Sequence, residues 1–383
     1  MRILYITTDS GWGGSSVALF NIISELKDRH EIYVLLPDAN KRLGQELKKN
    51  GITCYDKPFG MQTKIVFDEN LIISLKHIWW FVRGCYHRFI ARKYVEYLLD
   101  VLKPDIVHCN VGMVDISLNA CKKRGICHIY HLRDYLDVNF FPSSNYIRKK
   151  IYDPYNHSIT ITQQMFDYYE LNKDSDMVIY DGVINERKII QTTPIHTKYF
   201  LMVGMIQEIK GVLEGIKAFY QFCQINKEYE LWIAGKWQEG SNYKSACDKY
   251  IENNHLSNKV KFLGQRDDIP NLMSNAVALL APNLYEGFGF TIAEAMYYKC
   301  IVIGRNLYGI KEQFDIGFQE NGKEIGLQFD KDEQVLSLMK KVIHEDLDDM
   351  RSRAFDTVCR HYTTKVNATE IEKYYHKCLK KNC

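Results

Sequence analysis

Residues 283–300 read NLYEGFGFTIAEAMYYKC. Two glutamates, Glu286 and Glu294, flank a turn built from Gly287, Phe288, Gly289 and Phe290. The residues before it, VALLAPN, have the apolar run of a buried strand, and TIAEAMYYK reads as the start of a helix. Gly287 and Gly289 let the backbone approach a ligand with no Cβ in the way. The free N–H groups of the first helical turn, with the helix dipole, favour an anion, and a phosphate fits there. Glu294 lies one turn into the helix, where its carboxylate can accept two hydroxyl hydrogen bonds, as a ribose diol would offer. Glu286, at the strand end, can hold a sugar hydroxyl or face a positive charge that develops during reaction. A purely structural reading exists. Thr291 followed by Glu294 is a capping box, and Glu286 is then a solvated loop residue. The two carboxylates, the glycines and the strand end together favour a binding site.

The surrounding sequence repeats the same unit. RILYITT (2–8), HEIYVLLP (30–37), DIVHCN (105–110) and HIYHL (128–132) read as strands, with helical patterns at 15–28 and 114–125. The pattern restarts with a strand at 199–206 and a helix at 211–225. Strands follow at 229–235, 259–264, 277–282 and 300–304. This alternation predicts an α/β protein with parallel sheets. The stretch VIYDGVINERKIIQTTPIHT (178–197) has Asp-Gly and Pro punctuation and little periodicity, and reads as a linker. The expected organisation is a Rossmann-like domain over 1–182 and a second over 183–360, facing across a cleft. A helix over 361–383 is expected to pack back toward the first domain. Ligands of such sheets bind at the carboxyl ends of the strands.

With 383 residues, two cores are the natural expectation. The net charge of +3 gives no case for nucleic acid. Eleven cysteines without a Cys-x-x-Cys pair read as reduced cytosolic thiols rather than a disulfide framework or a zinc site. The opening MRILYITTD reads as a strand, so no leader is expected, and no apolar run predicts a membrane span. Two Asp-x-Asp triplets, DSD (174–176) and DLD (346–348), read as solvated surface, and no metal is expected.

The motif EGFGFTIAEAM resembles the Glu-x7-Glu motif of retaining, metal-independent GT-B glycosyltransferases, specifically glycosyltransferase family 4. Other pieces resemble the family in order: GWGGSSVALFNI, DIVHCN, VIYDGV, VGMIQEIKG, LWIAG and VKFLGQRDDIPNLMSNA. The likeness is detailed over 199–312 and looser before 150. It implies the GT-B fold and a nucleotide-sugar donor held mainly by the second domain. It implies that Glu294 binds the ribose and Glu286 the donor sugar. Gly287, Phe288, Gly289, Phe290 and Thr291 would lie along the sugar and diphosphate. Lys210 would neutralise the departing diphosphate, Gly13 and Gly14 would close over the phosphates, and Arg266 would lie near the base. The acceptor would be a glycan or lipid-linked glycan in surface polysaccharide biosynthesis.

Two positions depart from the family pattern. Met205 stands where an arginine is usual, which removes one phosphate cation unless Arg133 or another base replaces it. The sequence HLRDY puts Arg133 and Asp134 where many members carry His-Asp, with His131 two residues earlier. All three are candidates for catalysis, and His131 is equally readable as a strand histidine inside the sheet. Two rival functions stand beside the transferase. The GWGG loop and Asp38 suggest an NAD(P)-dependent Rossmann enzyme, although the third glycine is misplaced. Met205 suggests a catalytically inactive nucleotide-sugar-binding protein. The aromatic and basic stretch 71–99 reads either as an interfacial helix on anionic lipid or as a helix pair packed on the first domain with its cations in water. The expected location is the cytoplasm, either free or peripheral on the inner face of the membrane. The stretch 134–150 is an acceptor-loop candidate.

Overall fold

The computed structural model describes residues 1–60, 62–63, 71–111, 115–136, 140–141, 143–187 and 192–381. Residues 188–191 of the expected linker, and 137–139 and 142 of the acceptor-loop candidate, lie outside these. The chain forms two compact units, Met1–Gly182 with Thr364–Cys383, and Val183–Thr363.

The first unit is built on strands β1 (Arg2–Ile6), β2 (Glu31–Leu36), β3 (Thr53–Asp56), β5 (Ile106–Cys109), β6 (Cys127–Leu132), β8 (Asn156–Thr160) and β9 (Met177–Val178). A short antiparallel ladder pairs β4 (Gln62–Thr63) with β7 (Phe140–Phe141). The main sheet is parallel, in the order β3-β2-β1-β5-β6-β8-β9. Its helices are α1 (Gly14–Leu26), α2 (Arg42–Lys49), α3 (Leu71–Leu102), α4 (Leu118–Arg124), α5 (Ser144–Ile151) and α6 (Gln163–Tyr168). Leu19, Ile22 and Ile23 of α1 are buried in one core with Ile3 and Tyr5 of β1.

Two expectations change here. The helix expected over 114–125 begins only at Leu118, because Asp115 is drawn into a buried ion cluster. Arg88 Nε donates to Asp115 Oδ1 at 2.8 Å, and Arg92 Nη2 donates to Oδ2 at 2.5 Å. The same cluster corrects the reading of 71–99. That stretch is part of one 32-residue helix, not a pair, and Arg88 is buried rather than in water.

The second unit has strands β10 (Lys198–Val203), β11 (Tyr229–Ala234), β12 (Val260–Gly264), β13 (Ala278–Ala281), β14 (Val302–Arg305) and β15 (Leu327–Phe329). All are parallel, in the order β12-β11-β10-β13-β14-β15. Helices α7 (Val212–Cys223), α8 (Asn242–Asn253), α9 (Ile269–Asn275), α10 (Phe290–Tyr297), α11 (Tyr308–Asn321), α12 (Val335–His344) and α13 (Asp348–His361) complete it. This is the doubly wound order, which reverses between β10 and β13. Loops leaving two neighbouring strands in opposite directions open a crevice at that point. The chain then enters α14 (Thr364–Lys381), which belongs to the first unit. Ala368, Ile371, Tyr374 and Tyr375 of α14 are buried in the core that contains β1 and α1.

Candidate active site

In the second unit, the loops after β10 and β13 meet at the switch point. Gly211 has φ +63°, and a Cβ there would lie 2.2 Å from the Pro282 carbonyl oxygen. Only glycine therefore lets the loop after β10 press against the end of β13. Leu284 N–H donates to the Ile209 carbonyl at 2.9 Å and ties the two loops together. This contact delivers Lys210 to Glu286: Nζ donates to Oε2 at 2.5 Å. Asn283 Nδ2 donates to the same oxygen at 2.6 Å. The lysine keeps 28% of its side-chain surface and the glutamate 15%, so the pair is shielded but still reachable by solvent. Met205 is half exposed and lines a small hollow with Gly204, Lys210 and Asn283.

The glycine turn is rigid. Gly289 is the residue before α10 and has φ +97°. Gln313 of α11 is buried, and its Nε2 donates to the carbonyls of Phe288 at 2.6 Å and Gly289 at 3.1 Å. Gly309 is pressed so close that a Cβ would lie 2.3 Å from the Phe288 carbonyl oxygen. Phe288 is buried with its ring edge-on to Tyr362. Phe290 and Thr291 form the first turn of α10. The capping box is thus overturned: Gly289 occupies the cap position, and Thr291 lies inside the helix. Glu294 is half buried and makes no protein hydrogen bond through its carboxylate among the described residues. Burial pushes its carboxyl up to about 7. A carboxyl held at a helix start without a partner is poised for a ligand that brings its own donors.

Arg266 is exposed and pairs with Asp268, with Nη2 donating to Oδ2 at 2.6 Å. It lies just beyond β12, the edge strand, two strands from the switch point at β10. The structure shows no contact between it and Lys210 or Glu286.

In the first unit the sheet order reverses between β1 and β5. Gly13 and Gly14 start α1 beside that point. Asp9 shapes the turn by accepting from the Gly11 N–H at 2.8 Å and from Ser16 Oγ at 2.5 Å. A Cβ on Gly14 would meet nothing within 4 Å, so no packing within the chain demands a glycine there.

Arg133 is buried and its Nη1 donates to both oxygens of Asp181, at 2.5 and 2.6 Å, while Nε donates to Asn110 Oδ1 at 3.0 Å. Its charge is matched by the Asp181 carboxylate. Asp134 is exposed, and its main-chain carbonyl accepts from the Tyr169 hydroxyl at 2.6 Å. His131 is fully buried, with Nδ1 3.2 Å from His108 Nε2. His108 Nδ1 lies 2.6 Å from the Tyr375 hydroxyl, which is 2.9 Å from the Tyr5 hydroxyl. Burial pushes the His108 imidazole down to about 3 and His131 well below its ordinary value. Both are neutral, and in this arrangement His131 belongs to the polar interior of the sheet. The residues missed in the sequence are Asn283, Gln313 and Asp181. Asn283 was legible as an amide three residues before Glu286, but nothing in the sequence pointed to the other two.

The first unit also carries an open hollow of about 650 Å³ at the carboxyl ends of β2 and β3. Asp38, Asp56, Trp80, Arg83 and His87 line it. Trp79, Trp80, Val82 and Phe89 on α3 are all more than half exposed. No helix among the described residues is long and apolar enough to cross a membrane. DSD at 174–176 corrects one further expectation: Asp176 accepts from the N–H groups of Ser158 at 2.8 Å and Asn172 at 3.0 Å, so it braces a loop.

Residues 184–354 match the family described as Glycosyl transferases group 1. Over 115 residues the chain is 33% identical to the serotype-specific mannosyltransferase WbdA of Escherichia coli, covering 30% of this chain and 14% of that protein's length. Anabaena Alr3699/HepE, in its complex with UDP, superimposes with a TM-score of 0.77 at 18% identity, over 98% of this chain and 100% of that one. The lipopolysaccharide outer core galactosyltransferase WaaB, in its apo form, does so with a TM-score of 0.69 at 17% identity, over 100% of both. The fold is the GT-B fold of such glycosyltransferases, and the match to the group 1 family lies within the second unit.

Proposed function

We propose that this chain is a retaining, metal-independent glycosyltransferase, moving a sugar from a nucleotide-sugar donor to a glycan or lipid-linked glycan acceptor in surface polysaccharide assembly. The observation that carries this reading is the Lys210–Glu286 pair at the switch point of the second sheet, with the unpartnered Glu294 carboxylate on the adjoining helix. The family match over this unit, the UDP complex of a fold relative, and the mannosyl and galactosyl transfer in the names of others support it.

Each group then has a task. Glu294 accepts hydrogen bonds from the ribose hydroxyls, which replace the water its burial excludes. Breaking the glycosyl–phosphate bond puts negative charge on the diphosphate and positive charge on the sugar carbon. Lys210 and the amides at the start of α10 stabilise the first without a metal. Glu286 holds a sugar hydroxyl near the second, and Asn283 fixes its orientation. Donor binding shares or displaces the Lys210–Glu286 contact. The hollow lined by Trp80, Arg83 and His87 receives the acceptor, where an indole face can stack on a sugar ring. The exposed aromatic and basic face of α3 rests on anionic lipid from the cytoplasmic side.

A thermal-shift panel of UDP-, GDP-, ADP- and dTDP-sugars and NAD(H), run in EDTA, tests the donor class. One nucleotide sugar should stabilise the protein. A shift with NAD(H) alone would point to the rival Rossmann enzyme, and binding without turnover to the inactive protein. The anomeric configuration of the product, read by NMR, should match that of the donor. Flotation with anionic liposomes, set against neutral ones, tests the membrane contact. Trp79→Ala with Trp80→Ala should abolish it, and no flotation of the wild type would refute it.

A further inference from the structure

A cluster on the far side of the first unit has no part in this chemistry. Cys127 is the first residue of β6, His157 the second of β8, and Cys378 lies in α14. One ligand atom from each, two sulfurs and a ring nitrogen, lies within 4.8 Å of the others. All three residues are buried. They sit toward the amino ends of their strands, whereas Asn110 and Arg133 mark the carboxyl ends of β5 and β6.

We propose that Cys127, His157 and Cys378 form a structural site for a soft divalent ion of the zinc class, clamping α14 to the sheet. Two thiolates and one imidazole are a donor set that zinc accepts, and ligand atoms within 4.8 Å of one another can be bridged by one ion. A fourth ligand comes from solvent or a small thiol. The neighbouring polar groups are already committed. The Tyr374 hydroxyl donates to the carbonyls of Ser158 and Ser175 at 3.1 and 2.7 Å, and Asp176 accepts from two amides. On binding, both thiols lose their protons to solvent and the ring keeps its second nitrogen protonated, so uptake releases protons. The sequence, which has no Cys-x-x-Cys pair, favours reduced thiols over a zinc site. Here the ligands come from three distant segments, which spacing does not reveal. The ion would join α14 to two strands of the unit that α14 re-enters.

The test uses the full-length chain, reduced with a phosphine, stripped of metal and titrated with cobalt(II). The expected result is saturable binding, a thiolate-to-cobalt charge-transfer band, intense tetrahedral visible bands, and displacement by zinc with a rise in Tm. Cys378→Ser and His157→Asn should each weaken cobalt binding by more than the roughly 10- to 100-fold that loss of a supporting hydrogen bond costs. No charge-transfer band in the reduced wild type, or no change of Tm with zinc, overturns the proposal. An unchanged cobalt spectrum in both variants also overturns it, since the ion then sits elsewhere. Should Cys378→Ser fail to fold, the wild-type spectrum and His157→Asn decide.

Discussion

Glu294 carries the sharpest residue-scale consequence. Its carboxyl rises from 4.5 to about 7 through burial, so the folded protein holds a proton that the unfolded chain releases. The stability contributed by that proton is fully present below about 4.5 and is lost as the pH rises through about 7. Glu294→Gln should therefore raise the Tm of the ligand-free protein at pH 8 and change it little at pH 4, in melts taken across that range. The same variant should lose donor binding, because the amide no longer offers two acceptor oxygens to a diol. Met205 yields a gain-of-function prediction. It lines the Lys210 hollow and is half exposed, so Met205→Arg fits without repacking a core. A second cation there should tighten binding of the donor nucleotide by about tenfold, which is ~1.4 kcal/mol, as read by calorimetry. No gain would mean that the diphosphate does not lie over this hollow.

At the scale of elements, α3 is anchored by a buried carboxylate and presents aromatic groups to solvent. Asp115→Ala removes the common partner of Arg88 and Arg92 and leaves Arg88 buried without it. A loss of about 3–5 kcal/mol is expected in denaturant melts. Arg88→Met in the same background should recover part of that loss. Five of the six strands of the second sheet, all but the three-residue β15, were legible as apolar runs, with Phe200, Leu231 and Leu279 buried in them. Strand β8 was not legible. Its sequence NHSIT is polar, yet every residue is buried. Asn156 satisfies itself through the Ile151 carbonyl, Ser158 Oγ and His128 Nδ1, at 3.1, 3.0 and 2.8 Å. A strand whose burial rests on side-chain hydrogen bonds gives no hydrophobic period to read. The glycine turn was legible, but its brace was not. Gln313 lies on α11, the third element after the turn, and is revealed only when α11 packs under it.

At the scale of the whole molecule, the chain crosses from the first unit to the second and back. Tyr375 of α14 reaches His108 and Tyr5 inside the first sheet, and Thr364 Oγ1 donates to Glu25 Oε1 at 2.8 Å. Deleting residues 364–383 uncovers this core, so the truncated protein should lose the cooperative melt of the first unit and aggregate. A truncated chain with unchanged stability would contradict the placement of α14. The residues to which the proposed chemistry is assigned, Lys210, Glu286 and Glu294, lie within the second unit. The central claim is that these three groups bind and activate a nucleotide sugar without a metal. The most direct test is release of nucleotide from the selected donor in EDTA, with acceptor or water, by wild type, Glu286→Ala and Glu294→Ala. The account predicts steady release by wild type, none by Glu286→Ala despite retained donor binding, and a weakened donor interaction in Glu294→Ala. Release that needs an added divalent ion, or that survives in Glu286→Ala, would contradict it.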